Sequence, residues 1–470
     1  MQVVNKKDIP DTLSVKIEKL SNQGYGIARV DGYVIFVENA CPEDTVKIKL
    51  GKKTKNYAYA KIVEIEKPSE HRIAPFCSMQ KVCGACHLQH IDYNAQLQFK
   101  KEIVNDTIRN ICGEEIEIRD VIQSPQTKEY RHKIQYPISQ TKESKRILAG
   151  YYKTGSHELV NIKHCPIQPE YCDTIIDFIR VKAQELNITG YDENTHTGEL
   201  RHVVIRTSLL NQSSLVILIT NNTKISNKIK QLAELIFNKL DNISGVGVNL
   251  NNKKTNLILG DKTKIIEGLE FIEEKLCDKI FKIGTKTFFQ VNPSCANEIF
   301  KYIKNYIADN FSGPTILDAY AGITAFGISL SDIASKIISI EEEPESVKLA
   351  EKLIKENNIK NIELNCGDAG NFLSKETLLG RQFHITILDP PRKGCSVNSL
   401  DYALKLTKDK IIYVSCNPAT LARDLKYLKE HGAIVEYIQP FDMFPHTYHI
   451  ESVAIIDLHN VQVPEQTLPY

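Results

Sequence analysis

The residues best equipped for chemistry in this chain are thiols and carboxylates that stand at the ends of apolar runs. Ile411-Ile-Tyr-Val-Ser-Cys416 stops at a cysteine, turns at Asn417-Pro418 and starts a helix. A cysteine ending a buried strand beside an Asn-Pro turn sits at the rim of a parallel sheet, where α/β enzymes place their chemistry. Cys416 is read as a nucleophile, against the competing role of a small core residue. A second run ends in Asp389-Pro390-Pro391-Arg392-Lys393-Gly394. When two such strands are neighbours, Asp389 and Cys416 lie within one or two strand spacings of about 4.8 Å. The cysteine then becomes half of a site.

A separate set of thiols reads Cys77-Ser-Met-Gln-Lys-Val-Cys83-Gly-Ala-Cys86, with Cys165-Pro166 far downstream. Three closely spaced thiolates and a distant fourth resemble iron–sulfur ligation, one residue off the plant-type ferredoxin spacing. Structural zinc competes, but such sites usually pair two short knuckles and only one is present here. Twelve cysteines in a reducing compartment favour metal binding or catalysis over disulfides. Cys41, Cys112, Cys172, Cys277, Cys295, Cys366 and Cys395 are read as structural.

The elements that must hold these groups follow from composition and pattern. The chain has 470 residues, 42% of them hydrophobic, and a net charge of +1, so it is long enough for two or three cores and meets any nucleic acid through local patches. It starts without an apolar leader and holds no membrane-length apolar stretch, which predicts a cytoplasmic protein with no membrane partner. The fold class is α/β, multidomain. Residues 8–67 read as short strands separated by glycine turns, a small OB-like β-barrel. Lys47, Lys49, Lys52, Lys53, Lys55 and Lys61, with Tyr57 and Tyr59 between them, suit RNA phosphates and bases. Residues 68–285 form a central α+β domain with the four-cysteine site. Its strands include one at 255–259, and its helix at 93–111 is expected to pack on the C-terminal domain. From 286 to 470 short apolar runs alternate with helices, the pattern of a doubly wound Rossmann-like sheet. Seven strands, the last two close in sequence, suit an S-adenosylmethionine-dependent methyltransferase better than an NAD enzyme. The strand ends carry a glycine turn at Gly322 and Gly327, Glu341 placed for ribose hydroxyls, and Asp368 placed for an adenine amino group.

Asp-Pro-Pro-Arg-Lys-Gly, Ser-Cys-Asn-Pro-Ala-Thr-Leu-Ala-Arg-Asp, Phe-Phe-Gln-Val-Asn and the four-cysteine spacing together resemble the RNA uracil-C5 methyltransferase family, in its 23S ribosomal RNA branch, over essentially the whole chain. The resemblance implies a TRAM domain for the barrel and a [4Fe–4S] cluster on Cys77, Cys83, Cys86 and Cys165. It implies Cys416 as nucleophile, Glu451 as base, and Gln290, Tyr320, Glu341, Asp368 and Asp389 in contact with cofactor or target base. It favours 23S rRNA over tRNA as partner and a monomer as the working unit. The family usually has Gly where this chain has Thr324, which bears on cofactor affinity more than on reaction type. In that chemistry a thiolate adds to uracil C6 and makes C5 a carbon nucleophile. The thiol pKa is expected to fall toward neutrality through the cofactor's sulfonium and the helix starting near Asn417. Glu451 then removes the C5 proton, Asp389 and Gln290 hold the base, and the nucleotide is flipped out of its stack. A tRNA uridine-C5 enzyme, an RNA cytosine-C5 enzyme and a non-catalytic cluster-containing RNA-binding protein are the alternatives.

Overall fold

The computed structural model describes residues 9–459; the readings made on residues 1–8 and 460–470, including the outer limits of the first and last domains, lie outside them. Strands β1 (Thr12–Lys16), β2 (Lys19–Leu20), β3 (Gly26–Val30), β4 (Tyr33–Glu38), β5 (Thr45–Lys53) and β6 (Tyr57–Lys67) form one sheet in the order β1-β5-β6-β4-β3-β2. Alternate residues Ile35, Val37, Val46, Ile48, Ala58 and Ala60 are buried together. The strand period of two therefore turns Phe36, Tyr57 and Tyr59 outward.

Helix α1 (Tyr93–Cys112) starts where the Asp92 carboxylate takes two backbone N–H groups and stops at Gly113, whose φ of 76° is the left-handed ending that glycine permits. Strands β7 (Lys133–Gln140), β8 (Ile147–Tyr152) and β9 (Leu159–Asn161) follow, then helix α2 (Glu170–Glu185), β10 (Leu200–Thr207) and β11 (Ser214–Thr220). Helix α3 (Asn227–Lys239), β12 (Ile243–Leu250) and β13 (Lys262–Gly268) complete a seven-stranded central sheet, ordered β13-β12-β11-β10-β7-β8-β9, with α2 and α3 in its core. The strand expected at 255–259 does not form. Carbonyls there are claimed by side chains instead: the Arg201 guanidinium takes Thr255, after those of Asn251 and Lys253 just before the segment, and the Asn251 amide takes Leu257 and Ile258. A hairpin that the sequence reading missed, β14 (Phe271–Leu276) and β15 (Lys279–Gly284), comes next.

Helix α4 (Pro293–Asn310) leads into β16 (Thr315–Ala319), α5 (Ala325–Leu330), β17 (Lys336–Glu341), α6 (Pro344–Glu356), β18 (Ile362–Cys366), α7 (Ala369–Leu378) and β19 (Phe383–Leu388). Helix α8 (Val397–Leu406), β20 (Thr407–Ser415), α9 (Pro418–Glu430), β21 (Ile434–Phe441) and β22 (Glu451–Asp457) finish it. The seven strands are ordered β18-β17-β16-β19-β20-β22-β21; β22 runs antiparallel between β20 and β21. Val104 and Ile108 of α1 share a core with Leu421, Leu425 and Leu428 of α9, so α1 covers one face of this sheet. No helix among the described residues is long and apolar enough to cross a membrane.

Residues 442–450, between β21 and β22, touch every part of the molecule. Lys100 of α1 donates to Asp442 at 2.5 Å and to the Phe444 carbonyl at 3.1 Å, with both charged side chains fully buried. The His446 carbonyl accepts from the N–H groups of His87 and Leu88, each at 2.9 Å. Tyr130 donates to Pro445 and the Asn292 amide to Met443. An ion pair removed from water costs its hydration, so it is kept where the geometry is exact enough to satisfy both partners. Here it fixes the segment that delivers Glu451.

Candidate active site

Three neighbouring strands bring Asp389, Cys416 and Glu451 together. Leu388 pairs with Tyr413, and Ser415 pairs with Ser452. Asp389 therefore leaves β19 on one side of the strand that ends before Cys416, and Glu451 opens β22 on the other. Arg392, on the loop after β19, joins them. Burial pushes the Cys416 thiol up to about 11; the Glu451 and Asp389 carboxylates add to this, and the Arg392 guanidinium opposes it. The thiol thus does not fall toward neutrality in the protein alone. The helix start offers little help, because the Asn417 side chain itself accepts the Ala419 N–H at 3.1 Å. Glu451, 4% exposed, is held well above the ordinary carboxylate range by burial, with Asp389 adding to the effect. Asp389 is pushed up to about 7 by burial and by the nearby Asp318.

The Asp389–Gly394 loop is clamped onto α9. The Arg392 carbonyl accepts from the Asn417 amide and the Thr420 hydroxyl, both at 3.3 Å, and Arg423 donates to the carbonyls of Lys393 and Cys395. Asp424 accepts from the Cys395 N–H at 2.8 Å and the Tyr413 hydroxyl at 2.6 Å. Gly394, at φ +76°, leaves no room for a side chain: a Cβ there would stand 2.5 Å from Arg423 and 2.6 Å from Asp424. Sequence reasoning assigned no role to Arg392 or Asp424. The signal for Arg392 was the pair of acidic strand ends beside a thiol, which calls for a nearby cation.

On the other side of Asp389, the strand ends form a cradle. Glu341, closing β17, accepts the Gly322 N–H at 2.7 Å through one oxygen and the Glu343 N–H at 2.9 Å through the other. Each carboxylate oxygen keeps a further lone pair for a ligand hydroxyl. Tyr320 has φ +66° and donates to Ser399 at 3.2 Å. Asp368 caps α7 by accepting the Asn371 N–H at 2.9 Å. Asp318, absent from the sequence-based set, is buried beneath the turn with one oxygen unpartnered and is pushed up to about 7 by burial. Thr324 lies in the left-handed region at φ 52°, with its side chain fully buried toward Asp318 and Ser339. Its bulk points away from the open side of the turn, so the backbone at Gly322 stays free of it. Gln290 is half-buried in the β15–α4 connection. Its neighbours fix it there: the Val291 carbonyl accepts from the His132 N–H at 2.7 Å, and Asn292 donates to Ser124 at 3.0 Å and to Met443 at 3.1 Å. These positions suit a nucleoside-bearing cofactor: acceptors for hydroxyls and an amine, and a turn open to close approach.

The four remaining predicted ligands, Cys77, Cys83, Cys86 and Cys165, line one small cavity with Tyr151, Gln89 and His164. Burial pushes Cys86 and Cys165 up to about 12. Among the described residues no three of these sulfurs lie within 4.8 Å of one another. Two features suit an anionic occupant: the Arg131 guanidinium acts on Cys86 and Cys165, and the Tyr151 hydroxyl has no partner among the described residues. Asp173 steadies Cys165 by accepting its N–H at 3.2 Å. Gly84 is required where the loop crosses β8, since a Cβ would meet Tyr152 and Thr154 backbone at 2.9 Å.

Comparison with known proteins matches this arrangement to one family. The family model described as tRNA (uracil-5-)-methyltransferase matches residues 92–458, and the TRAM domain model matches residues 9–63. An uncharacterized RNA methyltransferase of Halalkalibacterium halodurans is 36% identical over 97% of this chain and 98% of its own length. One from Clostridium tetani is 33% identical over 96% and 98%. The solved structure of Pyrococcus abyssi tRNA (uracil-54, C5)-methyltransferase with S-adenosyl-L-homocysteine is 25% identical, with a TM-score of 0.76 over 94% of this chain and 100% of that one. The α/β fold with its N-terminal TRAM domain, the glycine turn and the acidic strand ends therefore belong to a chain of the tRNA (uracil-5-)-methyltransferase family, an S-adenosylmethionine-dependent RNA (uracil-5-)-methyltransferase.

Proposed function

We propose that this protein methylates C5 of a uridine in 23S ribosomal RNA, as a cytoplasmic monomer, through covalent addition of Cys416 to uracil C6. The observation that carries the reading is the meeting of one thiol, one guanidinium and two carboxylates of raised pKa at the ends of β19, β20 and β22. S-adenosylmethionine supplies an electrophilic methyl group on a positively charged sulfonium. Cys416, ionised once that positive charge is beside it, attacks C6 as thiolate and the ring electrons shift to the C4 carbonyl; C5 then takes the methyl group as the sulfur–methyl bond breaks and its electron pair leaves with S-adenosylhomocysteine. Glu451 then removes the C5 proton and the carbon–sulfur bond breaks, returning Cys416 as thiolate. Positive charge entering the site favours both ionised groups, which explains why each is held protonated without it. Asp389 and Gln290 position the base; Tyr320, Glu341 and Asp368 hold the cofactor.

Labour divides by domain: residues 8–67 grip RNA, 68–285 hold the cluster, and 286–470 carry the chemistry. Cys77, Cys83, Cys86 and Cys165 would hold a [4Fe–4S] cluster, a reading supported by the small cavity they share, Arg131 and the unpartnered Tyr151 hydroxyl. Such a group would link the 77–86 segment to Cys165, just before α2. A tRNA uridine is the second reading, favoured by the likeness to the Pyrococcus abyssi enzyme. Incubation with 5-fluorouridine RNA and S-adenosylmethionine should trap a covalent complex that Cys416→Ala does not form; an adduct persisting in that variant overturns the assignment. Mass-spectrometric mapping of 5-methyluridine in a deletion strain should show a loss confined to 23S rRNA, whereas a loss confined to tRNA selects the second reading.

A further inference from the structure

A row of half-buried rings leads from the barrel to the catalytic base. In the parallel pair β4–β6, Phe36 and Glu38 stand opposite Tyr59 and Lys61, and Val34 stands opposite Tyr57. Phe36 lies 5.6 Å, centroid to centroid, from both Tyr57 and Tyr59, and Tyr59 lies 5.5 Å from Tyr25. These rings lie outside the barrel's own core, which is built from Ile17, Ile35, Val37, Val46, Ile48 and their neighbours. Tyr25 follows a turn in which its N–H donates to Ser21 at 3.0 Å. In that turn Gly24, at φ +77°, presses against the 442–450 segment: a Cβ on it would stand 3.2 Å from the Tyr448 ring. Tyr448 in turn lies 4.6 Å from the His87 ring and 4.3 Å from His449, and His449 lies 5.7 Å from Phe444. Glu451 is two residues further on. Burial holds His449 near a pKa of about 4, so it presents a neutral face at physiological pH.

The charges beside the row point to a phosphate chain. Lys49 stands directly opposite Lys61 across β5–β6, an arrangement of like charges that destabilises an antiparallel pair on its own. Glu38 reaches Lys61 only at 3.9 Å. An RNA backbone lying along these strands relieves the repulsion.

We propose that the unpaired RNA strand flanking the target uridine runs from Cys416 over Tyr448 and Tyr25 onto Tyr59, Phe36 and Tyr57. Its bases stack on the rings and its phosphates meet Lys49 and Lys61, so barrel and active site hold one continuous strand. This rests on the uridine-methyltransferase reading above. Ring-to-base stacking needs no particular base, so the track supplies affinity and strand polarity and leaves sequence choice to the catalytic pocket.

The test is a ladder of 5-fluorouridine oligonucleotides lengthened one nucleotide at a time on either side of the target. With the full-length protein, affinity should climb on one side only and level off once the strand passes Tyr57. 2-Aminopurine at the gaining positions should be quenched. Tyr448→Ala and Tyr59→Ala should each lower the ratio of long- to short-oligonucleotide affinity by roughly tenfold, within the range expected for one stacked base, while Tyr448→Phe and Tyr59→Phe keep the ratio. Equal gains on both sides, or a ratio unchanged in the alanine variants, overturns the track. Failure of the wild-type protein to trap even the shortest oligonucleotide overturns the methyltransferase mechanism instead.

Discussion

The thiols of the two candidate sites differ in kind in their surroundings. Cys86 and Cys165 lie with a guanidinium, a phenol and other sulfurs, whereas Cys416 lies with two carboxylates and one guanidinium. Burial raises the thiol pKa in both. The first set has a cation ready for a permanent anionic ligand. The second has acids that resist a standing thiolate and accept one only when new positive charge arrives. The proposed nucleophile, kept protonated until the methyl donor is bound, would be shielded from oxidation and stray alkylation.

The contrast breaks most sharply at Glu451. Glu451→Gln should leave the adduct with 5-fluorouridine RNA intact and let an adduct with ordinary RNA accumulate, while turnover falls by roughly 10²- to 10⁴-fold; rapid turnover without accumulation would assign the proton to another group. Next in size, and resting on the proposed cluster, Cys165→Ser should abolish the visible absorbance of protein reconstituted with iron and sulfide and lower its melting temperature, yet the remaining folded protein should still form the Cys416 adduct. Loss of adduct from protein shown to be folded would couple the two sites more tightly than the geometry does.

A smaller effect sharpens the electrostatic side. With the Cys416 thiol at about 11, its thiolate fraction in the cofactor-free protein should rise about tenfold per pH unit from 7 to 10, and iodoacetamide labelling should follow that slope. A cationic cofactor analogue should shift the curve to lower pH, whereas S-adenosylhomocysteine, which lacks the sulfonium, should not. A flat profile would remove the carboxylates from control of the thiol. The smallest effect belongs to Thr324→Gly. Glycine tolerates the left-handed backbone more readily, by about 1 kcal/mol, but loses the hydroxyl bridge to Asp318 and Ser339. The KM for S-adenosylmethionine should change by less than about threefold, as read by initial rates, since the side chain points away from the open turn.

The architecture was legible where one physical signal dominates. Apolar runs such as Thr315–Ala319 form strands because both sheet faces are buried, and the Asn292-Pro293 and Asn417-Pro418 starts form helices because they meet backbone needs locally. The neighbour relation of Asp389 and Cys416 followed from the strand order of a doubly wound sheet. Legibility failed where a distant side chain decides local structure. The 255–259 segment has strand-forming residues, but Arg201, some fifty positions earlier, takes the Thr255 carbonyl, and the Asn251 amide takes those of Leu257 and Ile258. The raised thiol pKa, the role of Arg392 and the seat of Tyr448 against Gly24 depend on contacts between parts of the chain with no shared period. The inward turn of Thr324 likewise depends on Asp318 and Ser339 lying beneath it.

The place of β22 in its sheet has a consequence for biosynthesis. A ribosome delivers this strand after all the other strands described here, yet it fills an inside slot between β20 and β21, whose far edge is held by the 117–122 segment. A nascent chain halted before Glu451 would therefore expose the free edge of β20, with Cys416 beside it and without the carboxylate proposed as its base.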